Sequence, residues 1–340
     1  MIEAHFGETP ALSLGVEEEL MILDADTLEP VGAVEVLLRG VHELDLPGTL
    51  KTEMHASVVE LNTGVCADVA EAVASLRDLR LAADRVARAN GLAVAAAGAH
   101  PTAPLESLPV VQEERYLEMI RNVGYAARRQ GVNGLHVHVG VESREHCYER
   151  LEAVLPWLPV VLALSANSPF VEGVDTGMQS VRAGVLAELP RAGAPPPFGS
   201  YAAWESWVER LVALGVMADY TRIWWDVRPH PRLGTLELRV ADQPTSLERT
   251  ELLVGVLRDL VEHAPPAETH RGDYAQNRWA AARFGLDAQL IAPDGEGMAS
   301  ARELVRRLLG AEPPEPEAAA QREAAPAVAA DLVRRTLAFA

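Results

Sequence analysis

The sequence predicts an α+β fold with a largely antiparallel sheet. Predicted strands occur singly or in pairs between helices, without the regular strand–helix alternation of a doubly wound parallel sheet. Three short segments also alternate polar and apolar residues, which is typical of a strand whose two faces differ. At 340 residues, the chain is long enough to bury a sizeable core in one large domain or two modest ones.

In the first half of the chain, alternation and turn residues predict the strands, and apolar residues at helical spacing predict the helices. The predicted strands cover residues 12–23, 50–63, 91–98 and 132–141. The predicted helices cover residues 33–44, 67–89 and 110–130. Asp68 is expected to cap the longest helix, because a carboxylate there accepts hydrogen bonds from free N–H groups of the first turn.

In the second half, residues 145–165 should be helical, with interruptions at Pro156 and Pro159 because proline removes a backbone donor. Further strands are expected at 222–227 and 235–241, after a Pro/Gly-rich loop at 190–199. Further helices are expected at 201–218, 246–262, 273–284 and 299–310. Residues 312–316 are expected to be a linker, and residues 317–340 to form an Ala-rich terminal helix that docks on the body.

The composition limits the classes of function. A net charge of −19 argues against general binding to nucleic acid or anionic membranes. Neither a transmembrane run nor a signal-peptide pattern occurs, so a cytoplasmic protein is expected. Cys66 and Cys147 are the only cysteines, which argues against a disulfide framework. Lys51 is the only lysine and follows Leu50, so a Walker-type phosphate loop is excluded.

The alternating segments place charged side chains on shared strand faces. Residues two apart in a strand point the same way, so Glu17 should lie beside Glu19, and Glu237 beside Arg239. Convergence of several carboxylates is too repulsive to persist without cations. The pattern therefore predicts a divalent metal site. A solvated acidic edge strand and a surface ion-pair network remain open alternatives.

Two further pairs belong to the same pattern. His136 and His138 share one face of their strand, although this spacing is also common among zinc ligands. Glu53 and Glu60 are seven residues apart, so they converge only across a bulge, a bend or two short strands. Arginines are frequent near the last segment and suit bidentate binding of phosphate or carboxylate.

Together these segments resemble the family-2 glutamate–cysteine ligases, also called YbdK-type carboxylate–amine ligases. The resemblance spans about residues 12–290. The matching stretches are residues 15–20, 53–66, 134–140, 164–170, 175–182, 225–229, 234–242 and 277–287. The family is similar in fold to glutamine synthetase, so the resemblance implies a curved, mostly antiparallel sheet that forms a catalytic funnel packed with helices. It implies a single catalytic domain over 1–311, with the linker and Ala-rich helix at 312–340.

The resemblance also implies roles for individual residues. Mg²⁺, or Mn²⁺, would be held by Glu17, Glu19, Glu53, Glu60, His136 and Glu237. Glu237, Arg239 and His138 would act in catalysis, with the last two near the phosphates. ATP or substrate would be bound by Arg239, His138, Arg228, Arg182 and Arg232.

The implied activity is an ATP-dependent ligase that forms a γ-glutamyl amide from glutamate and an amine through an acyl phosphate, with cysteine the expected acceptor. Its partners would be these small molecules, without nucleic acid or membrane, and a homo-oligomer is left open. Two alternatives are a zinc-dependent hydrolase built on His136 and His138, and a non-catalytic relative that binds nucleotide. The absence of a serine or cysteine nucleophile motif fits the ligase, which requires none.

Overall fold

The computed structural model describes residues 2–339 of the chain. Its strands are β1 (Leu14–Asp24), β2 (Gly48–Thr52), β3 (Val58–Thr63), β4 (Leu92–Ala95), β5 (Gly134–Gly140), β6 (Phe170–Val171), β7 (Val174–Asp175), β8 (Ala192–Gly193), β9 (Trp224–Trp225), β10 (Val227–His230), β11 (Thr235–Asp242), β12 (Gln289–Ile291) and β13 (Met298–Ser300). Seven of them form one antiparallel sheet in the order β10-β11-β5-β1-β3-β2, with β4 also paired to β1. The prediction of an α+β fold with an antiparallel sheet is confirmed.

The α-helices lie between these strands and at the C-terminal end. They are α1 (Val34–Val41), α2 (Val69–Ala89), α3 (Glu114–Val123), α4 (Tyr125–Arg128), α5 (Arg144–Val154), α6 (Leu158–Ser165), α7 (Val181–Leu186), α8 (Tyr201–Ala213), α9 (Leu247–His263), α10 (Arg271–Phe284), α11 (Ala301–Leu309), α12 (Glu317–Glu323) and α13 (Val328–Thr336). The predicted cap of α2 is present, because the Asp68 side chain accepts a hydrogen bond from the Glu71 N–H. Within the described residues, no helix has the length and apolar character needed to cross a bilayer.

One face of the main sheet is covered by helices α2, α5, α6 and α9. Apart from Glu18, its side chains are apolar and buried, as at Val16, Val137 and Leu238, and they join the helices in one core. Burial of this apolar surface is the main favourable contribution to folding. Because side chains alternate along a strand, the opposite face receives the charged residues of the same strands. We call this opposite face the open face.

The structure differs from the sequence-based prediction in several elements. The predicted strand over 50–63 is a hairpin of β2 and β3. The predicted helix over 110–130 is divided at Gly124, whose φ of 78° ends α3. The predicted helix over 201–218 ends at Ala213, and Gly215 follows with a φ of 70°. The expected loop over 190–199 contributes β8, which pairs in parallel with β9.

The C-terminal segment forms two helices, and the prediction of one continuous helix over 317–340 was wrong. The break lies at Pro326, because proline cannot donate the hydrogen bond that a continuous helix needs. The predicted docking is confirmed by two buried hydrogen bonds. The Gln321 side-chain amide donates to the Asn167 carbonyl over 2.9 Å, and the Ala96 N–H donates to the Thr336 hydroxyl over 2.8 Å.

Candidate active site

The open face carries most of the predicted metal ligands on four adjacent strands, β11, β5, β1 and β3. Glu237 of β11 lies opposite His138 of β5, and His136 of the same strand lies opposite Glu17 of β1. Directly opposed residues of antiparallel strands share a face, so each pairing adds a polar side chain to the same surface. Glu237 also forms an ion pair with Arg239 two residues further on, as the alternation predicts.

A first cluster consists of Glu17, His138 and Glu237, whose ligand atoms all lie within 4.8 Å of one another. Nε2 of His138 lies 3.4 Å from a carboxylate oxygen of Glu17 and is buried without a well-formed hydrogen bond. Its Nδ1 lies 3.0 Å from the Thr235 hydroxyl, which orients the ring. A buried ring nitrogen without a hydrogen bond, directed at two carboxylates, is an arrangement that suits a cation between them.

A second cluster consists of Glu19, Glu53 and Glu60, again with ligand atoms within 4.8 Å of one another. Glu60 lies opposite Glu19 on β3, and Glu53 follows the last residue of β2. Because β2 and β3 pair as a hairpin, Glu53 at the end of β2 lies beside β3, the strand that carries Glu60, although the two residues are seven apart in the sequence. Of the arrangements that the sequence left open, the structure thus shows two short strands.

The electrostatics of the second cluster show an excess of negative charge. Burial and the Glu53 carboxylate raise the pKa of Glu19 from 4.5 to about 8. Burial, with repulsion from Glu17 and Glu53, raises the pKa of Glu60 well above its usual range. Burial also raises the pKa of Glu53. Such carboxylates hold protons unless another cation replaces them, and their hard oxygen atoms fit a divalent ion such as Mg²⁺.

The carboxylates of the first cluster have neighbouring cations or donors within the protein. Burial opposes ionisation of Glu237, but Arg228 and Arg239 overcome this effect and hold its pKa well below the usual range. Burial likewise opposes ionisation of Glu17, but the neighbouring His136 and His138 bring its pKa well below the usual range. These two carboxylates are therefore charged at neutral pH and ready to coordinate a cation.

His136 lies beside the first cluster but outside the group whose atoms converge. Its Nδ1 is 3.1 Å from a Glu17 oxygen, and burial lowers its pKa to about 4. The geometry brings the His138 ring, rather than the His136 ring, to the point where Glu17 and Glu237 meet. The metal-binding role of His136 stays a prediction.

The four predicted arginines occupy different environments. Arg239 lies on the open face beside Glu237, and Arg228 binds the same carboxylate through two nitrogens at 2.6 and 3.2 Å. Arg182 is buried and donates to main-chain carbonyls of β11. Arg232 is exposed and lines a separate recess of about 390 Å³, so the structure does not bring it to the carboxylates.

Several polar residues around the site escaped the sequence-based prediction. The Asn62 amide donates to Glu60 over 2.8 Å and accepts a hydrogen bond from Lys51 over 3.1 Å. The Gln243 side-chain oxygen accepts from the Glu19 N–H over 3.0 Å. Asn62 could have been found from its position two residues after Glu60 in the same strand. Gln243 carries no such signal, because it meets Glu19 only in the folded sheet.

The comparison with known sequences assigns a family. Residues 13–335 match the family model described as Glutamate-cysteine ligase family 2. A Rubrobacter xylanophilus protein named "Putative glutamate–cysteine ligase 2-1" is 41% identical over 300 residues, which cover 86% of this chain and 80% of the relative. A Solibacter usitatus relative named "Putative glutamate–cysteine ligase 2" is 35% identical over 308 residues, which cover 88% of this chain and 80% of the relative.

Solved structures share the fold at low sequence identity. A bifunctional glutathione synthetase from Pasteurella multocida aligns with a TM-score of 0.67 and 17% identity, over 97% of this chain and 52% of that enzyme. The chain thus spans about half the length of the Pasteurella protein. A glutamate–cysteine ligase from Francisella tularensis, crystallised with AMP, aligns with a TM-score of 0.64 and 14% identity, over 97% and 82%.

The chain therefore shares its fold with these two ligases, and its sheet is not closed. The family is one of ligases that form carbon–nitrogen bonds, which argues against a zinc hydrolase built on His136 and His138. The matched residues include both carboxylate clusters and Arg239. From the extent of these matches, the chain belongs to the family-2 glutamate–cysteine ligases.

Proposed function

We propose that the protein is an ATP- and Mg²⁺-dependent ligase that joins the γ-carboxylate of glutamate to an amine. The observation that carries this proposal is the pair of carboxylate clusters on one sheet face beside Arg239. The family supports the reaction class, and the AMP bound to the Francisella enzyme supports a nucleotide substrate. Cysteine is the first amine to test, because the family and its relatives are named for it.

The donor atoms indicate which residues would hold the divalent ions. Glu19, Glu53 and Glu60 would hold one ion with oxygen ligands alone, while Glu17, His138 and Glu237 would hold another. When bound, such ions neutralise negative charge between the nucleotide phosphates and the substrate carboxylate. Neither cluster contains a serine or cysteine nucleophile, which fits a direct transfer between the two substrates.

The proposed reaction has two displacement steps. An oxygen of the glutamate γ-carboxylate attacks the γ-phosphorus of ATP, and the bond to the leaving ADP breaks. The amine nitrogen then attacks the acyl carbon, the amine loses a proton, and phosphate leaves with the pair of electrons from the C–O bond. The first step activates a poor electrophile at the expense of ATP.

The chain contributes fixed positive charge to this chemistry. Interaction with Glu237 raises the pKa of Arg239 despite burial, so its guanidinium stays charged. Arg228 shares the Glu237 carboxylate and limits its movement through further bonds to the carbonyls of Thr221 and Ile223. Preorganised charges of this kind stabilise phosphoryl transfer without reorganising during the reaction. The partly exposed guanidinium of Arg239 is the one we assign to the phosphates.

The experiment that tests the proposal measures ADP release with glutamate fixed and the amine varied, followed by mass measurement of the products. The expected result is ADP formation that requires Mg²⁺ and both substrates, together with a γ-glutamyl amide. A matched reaction with EDTA should give no ADP. Nucleotide binding without ADP release across the amines would instead support the non-catalytic relative, and stoichiometric zinc with ATP-independent hydrolysis would support a hydrolase.

A further inference from the structure

The main chain of β11 contains a β-bulge immediately after the Glu237 carboxylate. Leu238 lies opposite Val137, and Ala241 lies opposite Leu135, so β11 advances three residues while β5 advances two. The extra residue falls at Arg239 and Val240. A bulge interrupts the hydrogen bonds of the strand and changes the direction of the side chain it carries. The direction of Arg239 therefore depends on what holds the bulge.

Arg182 holds the bulge from one side. Its two terminal nitrogens donate to the carbonyl oxygens of Val240 over 3.3 Å and of Arg239 over 3.1 Å. On the other side, the Arg239 N–H donates to the Asp226 carbonyl over 2.8 Å. Both polar groups of the Arg239 main chain are thus fixed by residues from other segments. The hydrogen bonds of Arg182 replace those that the bulge removes from the ladder.

The environment of Arg182 leaves no room for a substrate contact. The residue is only 3% exposed, and its Nε is buried without a partner. A β-carbon at Gly134 would overlap the guanidinium, so Gly134 is the residue that lets Arg182 pack against β5. The N–H of this same glycine donates to the Glu19 carboxylate. Arg182 therefore lies between the bulge and the second carboxylate cluster.

Arg182 is itself anchored to the end of β11. The hydroxyls of Ser168 and Ser180 each donate to the Asp242 carboxylate over 2.7 Å. The Ser168 oxygen also accepts from the Arg182 N–H over 3.2 Å, and Ser180 caps the start of α7. The chain of contacts runs from Asp242 through the two serines to Arg182 and back to the bulge of the same strand.

We propose that Arg182 is a positioning residue, whose guanidinium fixes the bulge at Arg239 and Val240 and so determines where Arg239 points. This proposal rests on the proposed function of Arg239, and it replaces the direct substrate or phosphate contact that the family resemblance implies for Arg182. Misplacement of a catalytic group by about 1 Å costs on the order of 100-fold in rate. Because Arg182 acts through Arg239, its effect should vanish when Arg239 is absent.

The test is a double-mutant cycle of Arg182→Gln and Arg239→Gln. In the wild-type background, Arg182→Gln should lower kcat by about 100-fold and leave KM for ATP and glutamate unchanged. In the Arg239→Gln background, Arg182→Gln should lower kcat by less than about twofold. Arg182→Lys, which keeps the charge and one donor, should recover part of kcat. Ser180→Ala should give a smaller loss of kcat that also disappears in the Arg239→Gln background.

An equal loss in both backgrounds, or a raised KM with unchanged kcat, would overturn the inference. If circular dichroism shows that Arg182→Gln does not fold, Ser180→Ala takes its place in the cycle. Its loss of kcat in the wild-type background should again be absent in the Arg239→Gln background. A second measurement does not need turnover: in a crystal structure of Arg182→Gln, the Arg239 guanidinium should have moved away from the Glu237 carboxylate that it contacts in the wild type, and an unmoved Arg239 would overturn the inference. Lack of turnover by the wild type would defeat the proposed function alone, because the position of Arg239 would still accept or reject the inference.

Discussion

The two faces of the central sheet both carry buried carboxylates, but the charged groups nearest to Glu18 on one face and to Glu19 on the other have opposite sign. On the helix-covered face, Glu18 is fully buried and receives Arg80 through two nitrogens, each at 2.7 Å. The Thr250 hydroxyl and the Gln243 amide complete its hydrogen bonds. On the open face, the neighbouring Glu19 meets two other carboxylates, and Arg182 and Arg239 act on it only from beyond ion-pair distance. Consecutive residues of one strand thus differ completely in how their charge is balanced.

The comparison distinguishes a structural carboxylate from one available to a ligand. A buried charge costs several kcal/mol unless partners within the protein compensate for it, as Arg80 does for Glu18. Mutual repulsion on the open face weakens the metal-free fold, and an added cation would remove it. Four predictions test this distinction, starting with the largest expected effect.

The first prediction concerns Glu19→Gln. The substitution keeps the shape of the side chain and removes a ligand, so turnover should fall to the detection limit, at least about 100–1,000-fold. Metal-free stability should stay constant or rise, because the substitution also removes repulsion. ADP release and thermal unfolding of the EDTA-treated protein measure the two effects. Full activity of this variant would show that the metal assignment is wrong.

The second prediction concerns the other face of the same strand. Glu18→Gln should lower the free energy of unfolding by about 3–5 kcal/mol, because Arg80 would remain buried without its counter-charge. The protein that remains folded should retain most of its kcat. Urea unfolding and active-site-normalised rates provide the measurements. If Glu18→Gln abolished turnover without loss of stability, the proposed division between the faces would not hold.

The third prediction concerns pH. The pKa of Glu19 is about 8 in the folded protein against an ordinary value of 4.5, so the folded state binds more protons than the unfolded chain between these values. The free energy of unfolding of the metal-free protein should therefore fall as pH rises through this window. Stabilisation by Mg²⁺ should be larger near pH 8 than near pH 5. Thermal unfolding with and without Mg²⁺ measures both, and Glu19→Gln should flatten the metal-free slope.

The fourth prediction is the smallest and concerns Asn62→Ala. The substitution removes the hydrogen bond that orients the Glu60 carboxylate. The apparent affinity for Mg²⁺ should fall by about tenfold, as for other residues that orient metal ligands. Thr49→Val is the matched control, because Thr49 is exposed and lies directly opposite Asn62 on β2. Equal affinities of the two variants would exclude this supporting role.

Strand alternation was sufficient to predict much of the site. It correctly places Glu237 beside Arg239 and His136 on the same face as His138, because both relations follow from a period of two residues. It could not place Glu53, whose position depends on the length of a turn. Strand alternation also predicted no partner for Glu18, because Arg80 lies on a helix that is remote in the sequence.

Other differences have equally local causes. The first of the two terminal helices ends just before Pro326, a signal present in the sequence but outweighed in the prediction by the surrounding alanines. The role of Arg182 had no sequence signal, because a β-bulge is visible only from the pairing of two strands. Arg232 shows the converse error, since proximity in sequence to Arg228 did not bring it to the same surface.

The hairpin of β2 and β3 has a consequence for biosynthesis. Glu19, Glu53 and Glu60 all belong to the N-terminal part of the chain and meet through adjacent strands, whereas Glu237 emerges from the ribosome much later. The triad can thus assemble on a nascent polypeptide before the rest of the active site exists. We expect magnesium in the translation medium to favour early closure of this hairpin on β1, so that the ion acts as a folding aid before it acts in catalysis.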